Sequence, residues 1–289
     1  MPDNPPFYFL NVYKPEGITS FDVIYRLRKI LNIKKIGHSG TLDPMADGVM
    51  QIAVGNASRL LEYLDSTKEY RAEIVFGFMS TTLDREGEIT KLEKPLFSLE
   101  ELKNVIDLFT GEITQIPPVY SAIKVNGKRL YEIARKNPET NITAPERKVT
   151  VYETELIDFK DHKAQIRVKC SKGTYIRTLC DDIAKKLNTR AYLSKLTRTQ
   201  AGNFYIKDSI KIEQADISKA IDPKSAINLP EIKLNENEYY RAKNGAIIEY
   251  NSDLNNETVM LTYMDKLVSI GILSDNKVKI KKFFNDAGI

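Results

Sequence analysis

Residues 148–187, KVTVYETELIDFKDHKAQIRVKCSKGTYIRTLCDDIAKKL, carry the reading of the fold. Lys148 to Leu156 and Ala164 to Cys170 alternate apolar with polar side chains and are rich in β-branched residues, the pattern of half-buried strands. From 174 to 187 the period changes, and Ile176, Cys180, Ile183 and Leu187 share one stripe of a helix. Tyr70 to Phe78 (YRAEIVFGF) reads as another strand. A helix is predicted over about 20 to 32, where Thr19-Ser20-Phe21-Asp22 has the form of a capping box ahead of Val23, Ile24, Leu27, Ile30 and Leu31. Residues 57 to 65 (ASRLLEYLD) and 98 to 109 (SLEELKNVIDLF) show the same spacing. Long strands outnumber strand-helix-strand units, so the pattern predicts an α+β fold with a mainly antiparallel sheet.

The irregular, proline-containing stretch 222 to 232 separates a main body, 1–230, from a tail, 231–289, that reads as a small β domain. A chain of 289 residues suits one large domain with such an appendage. With 42% hydrophobic and 28% charged residues it has the composition of a soluble globular protein with a sizeable core, which excludes disorder and collagen. Cys170 and Cys180 cannot build a disulfide scaffold or, with only His38 and His162 to help, a four-ligand zinc site, and both read as core residues. No apolar run approaches the roughly 20 residues of a membrane helix, and the start lacks a signal-peptide pattern, so the expectation is a cytoplasmic protein with no membrane partner.

Charge is unevenly spread. Residues 163 to 210 hold eleven basic and three acidic side chains, and residues 120 to 150 hold seven and three, although the whole chain carries only +4. Tyr120, Tyr131, Tyr175, Tyr192 and Tyr205 stand among these cations. Cations that neutralise phosphates and rings that stack on bases suit a polyanion such as a nucleic acid, whereas any single lysine is more simply a solvated surface residue.

Residues 37–48, GHSGTLDPMADG, lie between a basic helix and the apolar run VMQIAVG. Pro44 restricts Asp43 to an extended conformation, and a carboxylate held in a tight turn can be a nucleophile or a base; the plainer alternative is an Asx turn. The segment lacks the Gly-Lys-Ser/Thr of a P-loop and the spacing of a calcium loop. Arg177 is the second candidate. Thr174 is expected to cap its helix, so Arg177 falls in the first turn, where the helix dipole disfavours a cation. An anionic partner is therefore expected: phosphate, Asp181, Asp182 or Asp43.

The ordered segments KPEGITS (14–20), GHSGTLDPMADGV (37–49), KEYRAEIVFG (68–77), PPVYSAIKVNGKRLYEIAR (117–135), SKGTYIRTL (171–179) and LTRTQAGNF (196–204) resemble the TruB family of bacterial tRNA pseudouridine synthases over about 200 residues. The resemblance implies a pseudouridine synthase fold, an RNA-gripping insertion at about 120–150 with Lys124, Lys128 and Arg129 on RNA, and a PUA-like tail. It implies isomerisation of uridine 55 in the T-arm loop of tRNA, with a flipped-out base. Asp43 becomes the nucleophile, Arg177 its ionic partner, and Tyr70 the ring that stacks on the base and stands ready for its C5 proton. His38, Tyr175 and Leu196 become pocket residues, although periodicity alone would make Tyr175 and Leu196 core. Two departures from the family pattern stand out, Met50-Gln51 in place of Leu-Pro and Ser80-Thr81-Thr82-Leu83 in the threonine/aspartate run. The reaction neither oxidises nor hydrolyses, so no cofactor and no metal is expected, and a monomer acting on tRNA is.

Two other classes remain open at this point. An RNA-binding module without catalysis would need the basic blocks but not Asp43, Tyr70 and Arg177 together. A nucleoside hydrolase using Asp43 would release free uracil.

Overall fold

The computed structural model describes residues 6–121, 123–125, 127–130, 133 and 144–284, with backbone alone at 124, 125, 128 and 129. The chain opens with β1 (Phe7–Lys14) and α1 (Ser20–Leu31). Thr19 caps α1 as the sequence predicts: its hydroxyl accepts the Asp22 amide (3.1 Å), and Asp22 accepts the Thr19 amide (2.8 Å). Such a cap stabilises a helix by about 1 kcal/mol. There follow β2 (Ile36–His38), β3 (Asp47–Gly55), β4 (Lys68–Phe76), β5 (Phe78–Ser80), β6 (Ile89–Lys91), α2 (Leu99–Asp107) and β7 (Gly111–Gln115). A small hairpin, β8 (Lys124–Val125) and β9 (Lys128–Arg129), precedes β10 (Arg147–Lys160), β11 (Lys163–Cys170), α3 (Ile176–Lys186) and β12 (Ala191–Ala201). Short β13 (Phe204–Tyr205), β14 (Ile210–Lys211) and α4 (Pro223–Ala226) lead to the tail.

Among the described residues, ten strands form one sheet in the order β14-β1-β3-β12-β4-β11-β10-β7, with β13 on β12 and β2 on β3. Its pairs are antiparallel except β1 with β14 and a two-residue contact of β3 with β12. That contact brings Gly48 beside Arg198. A Cβ at Gly48 (φ +110) would lie 2.2 Å from the Arg198 carbonyl oxygen, so glycine is required there.

Alternation along the strands assigns the two faces. Leu10 and Val12 of β1 and Met50 and Ile52 of β3 belong to one core with α1 and α3, through Val23, Ile24, Leu27, Leu179 and Ile183. Tyr70 and Leu196 lie on that same face. Phe9, Val49 and Ala53 point the other way, against Met260, Leu267, Ile270 and Phe284 of the tail. The tail holds β15 (Glu231–Lys233), α5 (Glu236–Lys243), β16 (Ile248–Glu249), β17 (Glu257–Tyr263), β18 (Lys266–Ser274) and β19 (Lys277–Phe283), a five-stranded sheet with its own core. The α+β class with a C-terminal sheet therefore stands.

Three local expectations are corrected. The helix predicted over 57 to 65 is a 3-10 helix, Asn56–Tyr63. Its buried Ala57 and Leu60 stand three apart, which suits a three-residue turn, and Gly55 offers no side-chain cap. The strand predicted to Phe78 breaks after Phe76, because Gly77 (φ +82) has Pro95 packed where a Cβ would go. Thr174 does not cap α3: Tyr175 is the N-cap residue, and Thr174 instead donates to the Ser171 carbonyl (3.0 Å). Cys170 and Cys180 are buried free thiols, as expected of core residues.

Candidate active site

The loop between β2 and β3 holds Asp43 by its backbone. Six consecutive carbonyls, from residue 40 to 45, each accept a hydrogen bond. Arg198 donates to Gly40 O (3.1 Å) and Thr41 O (3.3 Å), and Ser20 Oγ to Leu42 O (3.0 Å). The Ala46 amide donates to Asp43 O (3.1 Å), closing the turn that Pro44 enters. Pro44 O receives the Gly17 amide (2.9 Å) and Lys14 Nζ (3.3 Å), and Met45 O receives Arg85 (3.4 Å). Buried carbonyls need partners, and here side chains distant in sequence supply most of them. The result is a turn held along its backbone that leaves the Asp43 carboxylate 36% exposed.

Arg177 meets that carboxylate. Its Nε lies 3.0 Å from Asp43 Oδ2, and its Nη1 lies 3.4 Å from Asp84 Oδ2. Nη1 also donates to Thr82 O (3.1 Å) and Nη2 to Tyr120 O (3.0 Å), so the guanidinium, 5% exposed, is satisfied on every side. Of the four partners considered from sequence, the structure supplies Asp43. Asp181 pairs instead with Arg190 and Lys185, and Asp182 with Lys185.

Asp84 was not found by reading the sequence. It follows Leu83, whose positive φ of 63° is strained for a residue with a Cβ, and that bend turns both the Thr82 carbonyl and Asp84 towards Arg177. Gly87 is the signal in hindsight: a Cβ there would lie 2.5 Å from Thr82 Oγ1, which marks residues 80–87 as a tight constructed turn.

Three further cations were also missed. Lys14 is fully buried, donates to the Pro15, Ile18 and Pro44 carbonyls, and is pulled down to about 8 by burial, against the attraction of Asp47 and Asp43. Arg198, 2% exposed, adds a 2.7 Å bond to Val49 O. Lys68 is buried beside it, donates to Gln51 Oε1 (3.1 Å), and is pulled down to about 7 by burial and then by Arg198. Gln51, one of the departures from the family pattern, thereby joins Lys68 and the Ser39 hydroxyl through one amide oxygen.

Of the other sequence candidates, Tyr70, Leu196 and His38 lie near Arg198. Tyr70 on β4 faces Arg198 across the strand pair, and burial raises its phenol above the usual range, with Asp43 adding to the rise and Arg198 opposing it. Leu196, two residues from Arg198 on β12, is buried on the face against which Tyr70 packs. Tyr175 is fastened by Gln115, whose amide bonds both its N–H (3.0 Å) and its C=O (3.2 Å). His38 ends β2; burial, then Arg198, lower its imidazole, and its Nδ1 is buried without a partner. Lys124, Lys128 and Arg129 fall on the β8–β9 hairpin, and their side chains, like Tyr131, lie outside the described residues. Among the described residues no group of three His, Cys, Asp or Glu is placed to hold a metal ion, and no helix is long and apolar enough to cross a membrane.

Comparison with known proteins gives the family. The family TruB pseudouridylate synthase (N terminal domain) matches residues 28–176. The tRNA pseudouridine synthase B of Caldanaerobacter subterraneus subsp. tengcongensis is 45% identical over 281 residues, covering 95% of this chain and 98% of that protein. The tRNA pseudouridine synthase B of Clostridium kluyveri is 40% identical over 286 residues, covering 95% and 98%. Among solved structures, one of a Cbf5-Nop10-Gar1 complex superposes with a TM-score of 0.74 at 24% identity, over 100% of this chain and 92% of that one, a likeness of fold. A site built from these segments, together with full-length identity at this level, places the chain in the TruB family of pseudouridylate synthases.

Proposed function

We propose that this chain converts uridine 55 in the T-arm loop of tRNA to pseudouridine, with Asp43 as the nucleophile acting on a flipped-out base. Membership of the family carries the coarser statement, that the chain is an isomerase making pseudouridine from uridine in tRNA. The observation that supports Asp43 as the nucleophile is the pairing of a partly exposed carboxylate, on a turn whose carbonyls are all hydrogen-bonded, with a buried arginine 3.0 Å away.

The reaction breaks the N1–C1′ bond, turns the uracil, joins C5 to C1′ and releases the C5 proton. Atoms and electrons balance within the nucleotide. A carboxylate serves by attacking C1′, by adding to C6 or by removing the C2′ proton, and Arg177 orients it for any of these. Its rigid turn lowers the cost of bringing it to the sugar in a reactive pose. A base inside a folded arm has to leave its stack, at a cost of a few kcal/mol that stacking on the Tyr70 ring offsets. The raised phenol favours the neutral hydroxyl in the free enzyme, so Tyr70 receives the C5 proton only if it hands its own proton on. Tyr175, Leu196 and His38 form the walls of the pocket. In this reading the segment at about 120–150, with Lys124, Lys128 and Arg129, and a PUA-like unit from 231 to 289 grip the RNA backbone.

The test is incubation with uridine-labelled tRNA transcript, followed by nucleoside analysis and mapping of the modified position. Pseudouridine at position 55 is the expected product. Unchanged uridine would favour a binding module, free uracil a hydrolase, and pseudouridine elsewhere would overturn the assigned position.

A further inference from the structure

We infer that the outward face of α1, with the turn that follows it, is a second RNA contact, which takes the strand leading away from the target uridine by stacking it on Phe21 and Tyr25 and holding its phosphates with Arg26 and Lys29 of the helix and Lys34 of the turn. The inference rests on the reading above that the substrate is tRNA.

α1 buries Ser20, Val23, Ile24 and Leu27, and its opposite side carries two large rings in solvent, Phe21 (64% exposed) and Tyr25 (50% exposed). One exposed ring is ordinary on a protein surface. Two rings four residues apart share a single stripe of the helix, and the next position on that stripe is Lys29, whose ammonium lies 4.4 Å from the centre of the Tyr25 ring. From residue 23 to 36 the chain has five cations, Arg26, Arg28, Lys29, Lys34 and Lys35, and no acid. The one acid of α1, Asp22, is spent on the cap. Rings interleaved with uncompensated cations are the chemistry that holds single-stranded nucleic acid, and they complement a phosphate backbone.

Position makes the face relevant. Ser20, the residue before Phe21, holds both the N–H and the C=O of Leu42, next to Asp43. On the other side of the same turn Arg177 of α3 holds the Asp43 carboxylate. α1 and α3 thus flank the turn on one face of the sheet, and the stripe begins beside the reacting residue and runs away from it. From Phe21 to Lys29 it extends about 12 Å, the length of roughly three stacked nucleotides.

The experiment measures tRNA binding, across a salt series, for three full-length variants: Phe21→Ala with Tyr25→Ala, Phe21→Leu with Tyr25→Leu, and Arg26→Gln with Lys29→Gln and Lys34→Gln. The leucine pair keeps apolar volume and removes the rings, and thermal unfolding serves as the fold control. Both ring variants should bind at least about ten-fold more weakly than wild type. The charge variant should lose about two units from the slope of log affinity against log salt. Ring variants within two-fold of wild type, or an unchanged slope, would overturn the proposal. Wild-type pseudouridine formation is followed on the same transcript: its absence would sink the proposed function and leave the affinity comparison readable.

Discussion

On one face of β1 and β3, Lys14, Arg198 and Arg177 are buried around the Asp43 turn, whereas on the other face Phe9, Val49 and Ala53 meet Met260, Leu267, Ile270 and Phe284 of the C-terminal sheet. The second contact is apolar, with the Lys282–Glu62 ion pair at its margin and Phe7 stacked on Phe284 at 5.1 Å. Apolar burial dominates it, and at its edge Arg59 donates to the Phe283 carbonyl (3.0 Å) and Lys282 to the Arg59 carbonyl (3.0 Å). The first places cations in a dry interior at an effective cost of several kcal/mol each before compensation, and offsets this with carbonyls and two carboxylates. Apolar packing would have filled that space more cheaply. The expense makes sense if what the face must deliver is one carboxylate in one position.

Breaking the charged face should have the largest effect. Arg177→Met frees Asp43 and leaves Asp84 buried without its cation, so we expect conversion to fall by about 100-fold or more and stability by about 3–5 kcal/mol. Adding Asp84→Asn should return much of the stability and none of the rate. Denaturant unfolding with single-turnover assays checks both, and recovery of rate in the double variant would break the contrast.

On the apolar face Phe284→Ala removes a ring that is 1% exposed and should cost about 3–5 kcal/mol, loosening the C-terminal sheet from the body. Pseudouridine formation at saturating tRNA should stay near wild type. A collapse of that rate, measured below the unfolding transition, would show that the two faces are not separate.

The effect that is smallest per unit of the variable changed concerns Lys68. With its folded pKa near 7, below the usual lysine value, the folded state binds fewer protons than the unfolded state between about pH 7 and 10. Its contribution to stability therefore rises with pH in that window, by at most about 1.4 kcal/mol per pH unit. Urea midpoints should climb less steeply with pH in Lys68→Met than in wild type, and equal slopes would place the buried charge elsewhere.

Much of this was legible in the sequence, for local reasons. The α1 cap, the strands at 148–156 and 164–170 and the turn at Asp43-Pro44 depend on neighbours within a few residues, and they lie where periodicity and turn chemistry place them. Arg177 was legible as a cation in need of an anion, but its choice of Asp43, and of Asp84 besides, depends on strands meeting across more than ninety residues. Lys14 at the end of FYFLNVYK and Arg198 in LTRTQ look like strand-end surface charges. Only the loop that folds back over them makes them interior. The stripe of α1 was visible as a basic helix, yet its place beside the Asp43 turn follows from the Ser20–Leu42 bonds alone.

If the buried charges serve to present the Asp43 carboxylate, removing that carboxylate's charge alone, by Asp43→Asn, should abolish the reaction. The substitution keeps the shape of the side chain and leaves Tyr70, the rings of α1 and the surface cations in place. Under single-turnover conditions with excess enzyme, we expect no detectable pseudouridine while tRNA binding stays within a few-fold of wild type. Substantial conversion by Asp43→Asn would contradict the account.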